Sequence, residues 1–509
     1  MSQNVSENNK RIAKNTIMLY IRMIVVMAVS LYTSRVVLDV LGEVDFGLNN
    51  VVGGVVAMLS FLGSTMTHAS QRFFSIELGV ENYERLKRVF KVNFTIYCII
   101  ALVVIVLGET LGLWFIHSYM TVPADRVNAV EWVLHYAVLS FSCTMLVTPF
   151  RAALMARENM AIVAWLSILE VIGKLAVAYL IVVMVMDKLI AFSFLNFVIL
   201  ILVNGAYIVY ARVKYVECRM GLCFDNKLMK NVLSFTGWSI FGHSAMVVRS
   251  QGINILLNIY CGPVVNAARA IAFQVNTAIS NFYTNFFMAV KPQIIKYFSI
   301  DDRKEMFQLV GRSSKFCFFL VLFFSLPILF ETDFILNLWL KEVPEYSSLF
   351  VKLVLINTLI ESILPGLTTS IDANGKIRNY QLIVSFFIFL VIPFSWIFLK
   401  KGFDPSFPMI LVIISSLIRF LFQLYTVRVQ LSFDLGTFFK EAMAPIIVVS
   451  ILSSILPWIV SMLMPGDTVR FIVVTLVCVI SSAMSIYFVG MTKSERNRLF
   501  TFILAKIHR

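Results

Sequence analysis

Charge is what this sequence has least of. Only 14% of its residues are Asp, Glu, Lys or Arg, where an ordinary globular chain carries roughly 25%. A chain of 509 residues this poor in charge cannot cover its core with a water-compatible surface, which excludes a soluble enzyme. Nucleotide chemistry is excluded as well: there is no GxxxxGK[ST] phosphate loop and no GxGxxG between a strand and a helix, and HExxH is also missing. Any energy for transport must come from a gradient or from the substrate. The seven cysteines, Cys98, Cys143, Cys218, Cys223, Cys261, Cys317 and Cys478, are odd in number and never spaced as CxxC, so no disulfide framework or zinc site is implied. The five histidines are unclustered; only His243 falls midway in a hydrophobic stretch, and no metal site is expected.

Hydrophobic length is what the chain does have: 59% of it is apolar and the mean hydropathy is +0.85. Measured against the roughly 20 apolar residues that cross a bilayer, the stretches 16–36, 46–66, 92–115, 129–149, 160–186, 189–211, 233–257, 264–288, 314–338, 349–369, 380–399, 407–427, 442–463 and 470–490 each read as a span. The fold class is therefore an all-α polytopic membrane protein with about fourteen transmembrane helices. The first sixteen residues are polar and run into a full-length span without a small-residue cleavage site, which predicts an uncleaved first helix.

The net charge of +14 comes from 43 Lys and Arg against 29 Asp and Glu. With the N-terminus in the cytoplasm, that side collects Lys10, Arg11, Lys14, Arg72, Arg85, Lys87, Arg88, Lys91, Lys291, Lys296, Arg303, Lys304, Arg312 and Lys315, and the opposite loops are poor in basic residues. This is the positive-inside pattern with both termini cytoplasmic. The basic charge then serves topology and contact with membrane lipids, and no nucleic-acid partner is expected.

The basic stretch Arg212–Lys230 separates six spans from eight. Its apolar residues Val213, Val216, Met220, Leu222 and Leu228 suit an interfacial helix; a solvated linker suits the composition equally. An even number of spans returns the chain to its starting side, so the halves run parallel. A shift of about 220 residues brings Gly42-Glu43-Val44 onto Gly262-Pro263-Val264 and loop 81–91 onto 301–311. Glu109-Thr110 likewise recurs as Glu331-Thr332, and Pro149 as Pro365. The domains follow: a six-helix lobe over 1–212, a cytoplasmic basic linker over 213–231, a second six-helix lobe over 232–430, and two extra helices with a basic cytoplasmic tail over 431–509. Such repeats place substrate near the midplane between the halves.

Ionisable groups inside spans each need a partner or a task, because burial in lipid costs about 2.5–3.5 kcal/mol apiece. They are Arg22, Glu170, Lys174, Arg249, Arg269, Glu361 and Arg419, with cations in excess. A wet, cationic cavity that receives an anion resolves the excess. Glu170 and Lys174, spaced i, i+4 with the acid first, form either a structural pair or a direct contact to substrate or ion. Glu361 is alone in its stretch, so it is either protonated and able to couple a proton or sodium gradient, or paired with a cation of another helix such as Arg419 or Lys174. Asn266, Arg269, Asn276, Ser280 and Thr284 make one polar stripe on helical spacing. Asn254 and, earlier in the chain, Asn49 and Asn50 extend the polar lining. No catalytic residue and no resident cofactor are indicated.

The segments Leu41-Gly42-Glu43-Val44-Asp45-Phe46-Gly47-Leu48-Asn49-Asn50, Cys261-Gly262-Pro263-Val264-Val265-Asn266-Ala267-Ala268-Arg269-Ala270-Ile271-Ala272, and Leu338-Trp339-Leu340 before Val343-Pro344-Glu345-Tyr346 resemble polysaccharide-biosynthesis flippases of the multidrug/oligosaccharidyl-lipid/polysaccharide (MOP) superfamily. The resemblance runs over almost the whole chain. It implies two six-helix lobes around a V-shaped cavity, a bacterial inner-membrane location, and flipping of undecaprenyl-diphosphate-linked oligosaccharide to the periplasmic leaflet for O-antigen lipopolysaccharide or capsule, alongside other polysaccharide-assembly proteins. Arg22, Arg249 and Arg269 fall on the helices matching that family's cationic cavity, and the two C-terminal helices are candidates for a groove holding the lipid tail. A cation-coupled multidrug exporter of the same superfamily would favour acidic cavity residues, against the excess of bases here. A membrane polymerase or ligase would carry its catalytic residues on a long outer loop, and the chain has none.

Overall fold

Backbone polar groups in hydrocarbon have no water to bond, so a lipid-facing chain satisfies them within each segment as helix. The computed structural model describes residues 15–30, 32–33, 36–37, 39–42, 45, 48–49, 60–119, 123–340 and 343–497, and no strand occurs among them. The helices are α1 (Asn15–Ser30), α2 (Ser60–Gly79), α3 (Tyr83–Tyr119), α4 (Val127–Ala156), α5 (Met160–Leu180), α6 (Lys188–Lys214) and α7 (Asn226–Ser299). They continue as α8 (Arg303–Phe330), the short α9 (Thr332–Trp339), α10 (Ser347–Asn374), α11 (Arg378–Lys400), α12 (Phe407–Leu431), α13 (Leu435–Leu463) and α14 (Thr468–Gly490). Ten described helices are long and apolar enough to cross a membrane. The long α7 is not among them, since its polar residues lower its hydropathy, and Gly262 breaks it into two segments.

Two compact units result, one of residues Met1–His243 with Ile295–Asp301, the other of Ser244–Ile294 with Asp302–Arg509. In unit 1, α4 is the central helix and packs on α2, α3 and α6. Its C-terminal end meets a ring cluster in which Phe90 stands edge-on to Phe150 at 5.0 Å, with Phe74, Tyr207 and Leu154 around them. Along α3, Gly108 and Gly112 bring α4 so close that an added Cβ would lie 2.7 Å from Val138 and 2.9 Å from Leu134, the small-residue contact that membrane helices use. The opposite face of α3 exposes Leu102, Val106, Leu107 and Leu111, as a lipid-facing surface should.

In unit 2, α8, α10 and α12 form the core, and the α13–α14 hairpin packs on α8. Lys315 of α8, 2% exposed, bonds Glu495 just beyond α14 at 2.9 Å, and Arg470 at the start of α14 pairs with buried Glu331 at 3.0 Å. Salt bridges thus tie both ends of the hairpin's second helix down.

The two units repeat the same pattern of packing and of backbone. In unit 1, α3 packs on α4, α4 on α6 and α5 on α6; in unit 2, α8 packs on α10, α10 on α12 and α11 on α12. Gly42 and Gly262 both take positive φ, 75° and 83°, and so do Glu81 and Asp301, 55° and 57°. Next in each half, Asn82 accepts from the Arg85 N–H and Asp302 from the Glu305 N–H, capping α3 and α8 in the same way.

Several boundaries differ from the hydropathy reading. Of the second span, expected over 46–66, residues 46–47 and 50–59 lie outside the described ones; its helix continues past the expected end to Gly79, and Arg72, expected in a loop, is buried in it against the rings of Phe73 and Phe235. Lys296, also expected in a loop, sits on α7, because a carboxylate partner keeps its charge satisfied while the helix continues, and α8 starts at Arg303, well before the expected 314. The basic stretch after α6 forms no interfacial helix and is no free linker: Tyr215–Asp225 is irregular, with Cys218 buried and Glu217 bonded to Arg157 at 2.5 Å.

Candidate functional site

The described polar groups of unit 2 converge on three arginines. Gly262, at φ 83° and ψ 178°, turns α7 so that Arg249 lies before the break and Arg269 after it. Arg269 is 5% exposed. Its Nη1 donates to Asn254 Oδ1 at 3.1 Å and its Nη2 to the Ser250 carbonyl at 3.0 Å, with the guanidinium 4.3 Å over the Phe273 ring. Arg249 is half-buried and interacts electrostatically with Glu361, Arg419 and Arg269.

Glu361 of α10 faces Arg419 of α12 at 3.9 Å and accepts from Ser416 at 3.3 Å. Arg419 also bonds the Tyr380 hydroxyl, which accepts from Gln423 Nε2 at 2.6 Å, and Gln423 donates to Thr368 at 2.8 Å. A polar chain thus links α10, α11 and α12. Three cations stand here against one carboxylate, and Nε of both Arg269 and Arg419 is buried without a hydrogen-bond partner. A guanidinium N–H left unmet away from water is costly, and an incoming anion would remove that cost.

The rest of the expected lining divides. Asn276 belongs to the same unit, its Oδ1 accepting from Thr358 of α10 at 2.5 Å and from Ser280 at 3.1 Å. Thr284 is exposed and bonds back to the Ser280 carbonyl, so its hydroxyl is spent on its own helix. Asn50 and the side chain of Asn266 lie outside the described residues; Asn49 is half-buried in unit 1. Also in unit 1, Lys174 bonds Glu170 at 2.7 Å within α5, and Arg22 of α1 interacts with Tyr207 of α6. His243 is exposed and donates to the Ser239 carbonyl on its own helix.

The sequence reading missed Tyr380 and Gln423, single polar groups set in long apolar stretches. It also missed Arg151, because it ended the fourth span at Pro149, whereas α4 continues through that proline to Ala156. Among the described residues no three His, Cys, Asp or Glu side chains gather into a set that could hold a metal.

No sequence-family model and no curated protein matches the chain. Solved structures do match. An outward-facing multidrug resistance MATE family transporter of the MOP superfamily aligns with a TM-score of 0.73 at 11% identity, over 84% of this chain and 96% of that one. A Pyrococcus furiosus transporter of the MOP superfamily, described by the reverse polarity of its binding pocket, aligns at 0.66 and 12%, over 82% and 96%. A variant of the Vibrio cholerae MATE transporter VcmN aligns at 0.62 and 15%, over 83% and 98%. The chain therefore has the fold of the MATE transporters of the MOP superfamily.

Proposed function

We propose that this protein is a flippase for undecaprenyl-diphosphate-linked oligosaccharide, working by alternating access in a bacterial inner membrane with both termini cytoplasmic and supplying surface polysaccharide assembly. The observation that carries the reading is the unit 2 cluster, in which Arg249, Arg269 and Arg419 outnumber Glu361 and two buried guanidinium Nε–H groups have no acceptor. A diphosphate supplies the charge and the acceptor oxygens that this set lacks, and arginine binds such oxygens in pairs. Asn254, Asn276 and Ser280 add amide and hydroxyl groups suited to sugars. The Pyrococcus furiosus neighbour is described as having a reversed pocket polarity that suggests a different function, so the MATE-type fold does not by itself imply drug export. A proton or sodium gradient would be coupled through Glu361, which faces Arg419, or through Glu170, which is bonded to Lys174.

The runner-up, export of cationic drugs, draws on the multidrug neighbour and is separated by one experiment. Purified protein is titrated with undecaprenyl diphosphate and with ethidium, and unfolding is followed by heat; in parallel, proteoliposomes are assayed for translocation of a labelled lipid-linked oligosaccharide. Saturable stabilisation by the lipid diphosphate together with translocation is expected. Stabilisation by ethidium alone would transfer the assignment to drug export.

A further inference from the structure

Unit 1 holds a second cationic cluster, around Arg151 and Tyr207, whose donors the reading above leaves unused. Arg151 of α4 lays its guanidinium over the ring of Tyr207 of α6, 4.6 Å from the centroid, and its Nη2 donates to Asn204 Oδ1 at 3.3 Å. Tyr207 is itself fixed, 1% exposed, with its hydroxyl donating to the Val163 carbonyl at 3.2 Å. Asn204 is 4% exposed. After these bonds two donors remain: Arg151 Nε and Asn204 Nδ2 are both buried without a hydrogen-bond partner.

The charges point the same way. Arg22 and Arg151 both interact with Tyr207, Glu170 is the acid near it, and Glu170 is taken up by Lys174 at 2.7 Å. The surroundings of the two unmet donors are therefore cationic. Buried donors of this kind are normally satisfied, and a guanidinium stacked on a ring beside a side-chain amide offers the directed N–H groups that an oxyanion accepts.

We infer that unit 1 contains an anion-binding site, with Arg151 and Asn204 as donors and Tyr207 as the platform, that takes a carboxylate or phosphate group. Such a group occurs on acidic sugars and on phosphorylated glycans. The site is formed within unit 1 alone and does not depend on the unit 2 cluster binding a lipid diphosphate.

The test uses the full-length protein in detergent, with D-glucuronate and inorganic phosphate as separate probes titrated calorimetrically against wild type, Arg151→Gln, Asn204→Leu and Arg269→Gln. Saturable binding of glucuronate or of phosphate is expected, and which probe binds identifies the anion. Arg151→Gln and Asn204→Leu should each weaken it at least tenfold, and Arg269→Gln in unit 2 should retain it. If Arg151→Gln does not fold, Asn204→Leu, which leaves the ring stack in place, carries the test. Failure of both probes, wild-type binding by the unit 1 variants, or loss in Arg269→Gln would overturn the site. Undecaprenyl diphosphate titrated in the same variants reads the unit 2 assignment separately, so either can fail alone.

Discussion

Glu361 on α10 and Arg419 on α12 face each other at 3.9 Å, with Ser416 donating to the same carboxylate oxygen. A carboxylate that serves as counterion to a buried guanidinium holds the cluster together first. Glu361→Gln is therefore expected to lower thermal stability by about 1–3 kcal/mol, less than a fully buried broken pair because the Glu361 side chain keeps 27% exposure. Transport by the surviving protein should still follow an imposed pH gradient. A variant of normal stability that no longer responds to the gradient would instead make Glu361 the coupling residue.

Arg249 and Arg269 should separate binding from folding. Arg269 is bonded to Asn254 and Ser250 and stacked on Phe273, so its loss leaves acceptors unmet and costs stability. Arg249 interacts with its neighbours through charge, and Arg249→Gln should leave the melting temperature within a few degrees of wild type. Its affinity for undecaprenyl diphosphate should drop about tenfold, roughly 1.4 kcal/mol. Unchanged affinity in a well-folded Arg249→Gln would remove this residue from the diphosphate site.

Apolar length made α10 to α12 legible close to their expected limits, because the single ionisable group in the middle of α10 and of α12, Glu361 and Arg419, does not outweigh it. The repeat of backbone features between the units was legible in small landmarks, since Gly42 and Gly262 mark positions where the backbone itself demands glycine. Hydropathy failed where a charged residue is paired inside the fold: Lys296 lies beyond the expected end of its span at 288, yet α7 continues through it to Ser299, because Glu158 of the same unit meets its charge. Arg151 was hidden behind Pro149 for a related reason, as a packed membrane helix tolerates proline where an isolated one would stop. Which cations share one site was not legible at all, since that depends on contacts such as Glu361 with Arg419 that no local pattern encodes.

Burial pushes the Cys218 thiol above its ordinary range, with Glu217 adding to the effect and Arg157 opposing it. Thiolate is the reactive form, so Cys218, kept as the only cysteine, should label slowly with maleimide near neutral pH. Arg157→Gln removes the partner that holds Glu217 against the unit and should speed labelling at least tenfold. Fast labelling in the parent would mean that Tyr215–Asp225 is not packed as described.

Lys315 and Glu495 provide a double-mutant cycle on the hairpin. Lys315 is 2% and Glu495 12% exposed, so Glu495→Gln leaves a cation without a counterion and should cost about 3 kcal/mol in thermal or denaturant unfolding. Lys315→Met combined with Glu495→Leu should regain most of that loss, because apolar residues of similar volume replace a buried pair at little cost. Additive losses would show that the two side chains do not act as a pair.

Gly262 separates the helix segment that carries Arg249 from the one that carries Arg269, and its backbone, φ 83° and ψ 178°, lies in a region open essentially to glycine alone. Nothing lies within 4 Å of where a Cβ would be, so any penalty of Gly262→Ala comes from backbone conformation and not from a clash. A loss of about 1–3 kcal/mol is expected. Gly262→Asn sharpens the test: asparagine tolerates the left-handed helical region near ψ of roughly +47°, which is not the conformation here, so it should rescue little. Gly237, also on α7 and with equally open surroundings, has an ordinary helical backbone, and Gly237→Ala should be neutral or stabilising by about 0.5–1 kcal/mol. If Gly262→Ala matched Gly237→Ala, the break in α7 would not be held by the glycine, and the placement of Arg269 relative to Arg249 would need another cause.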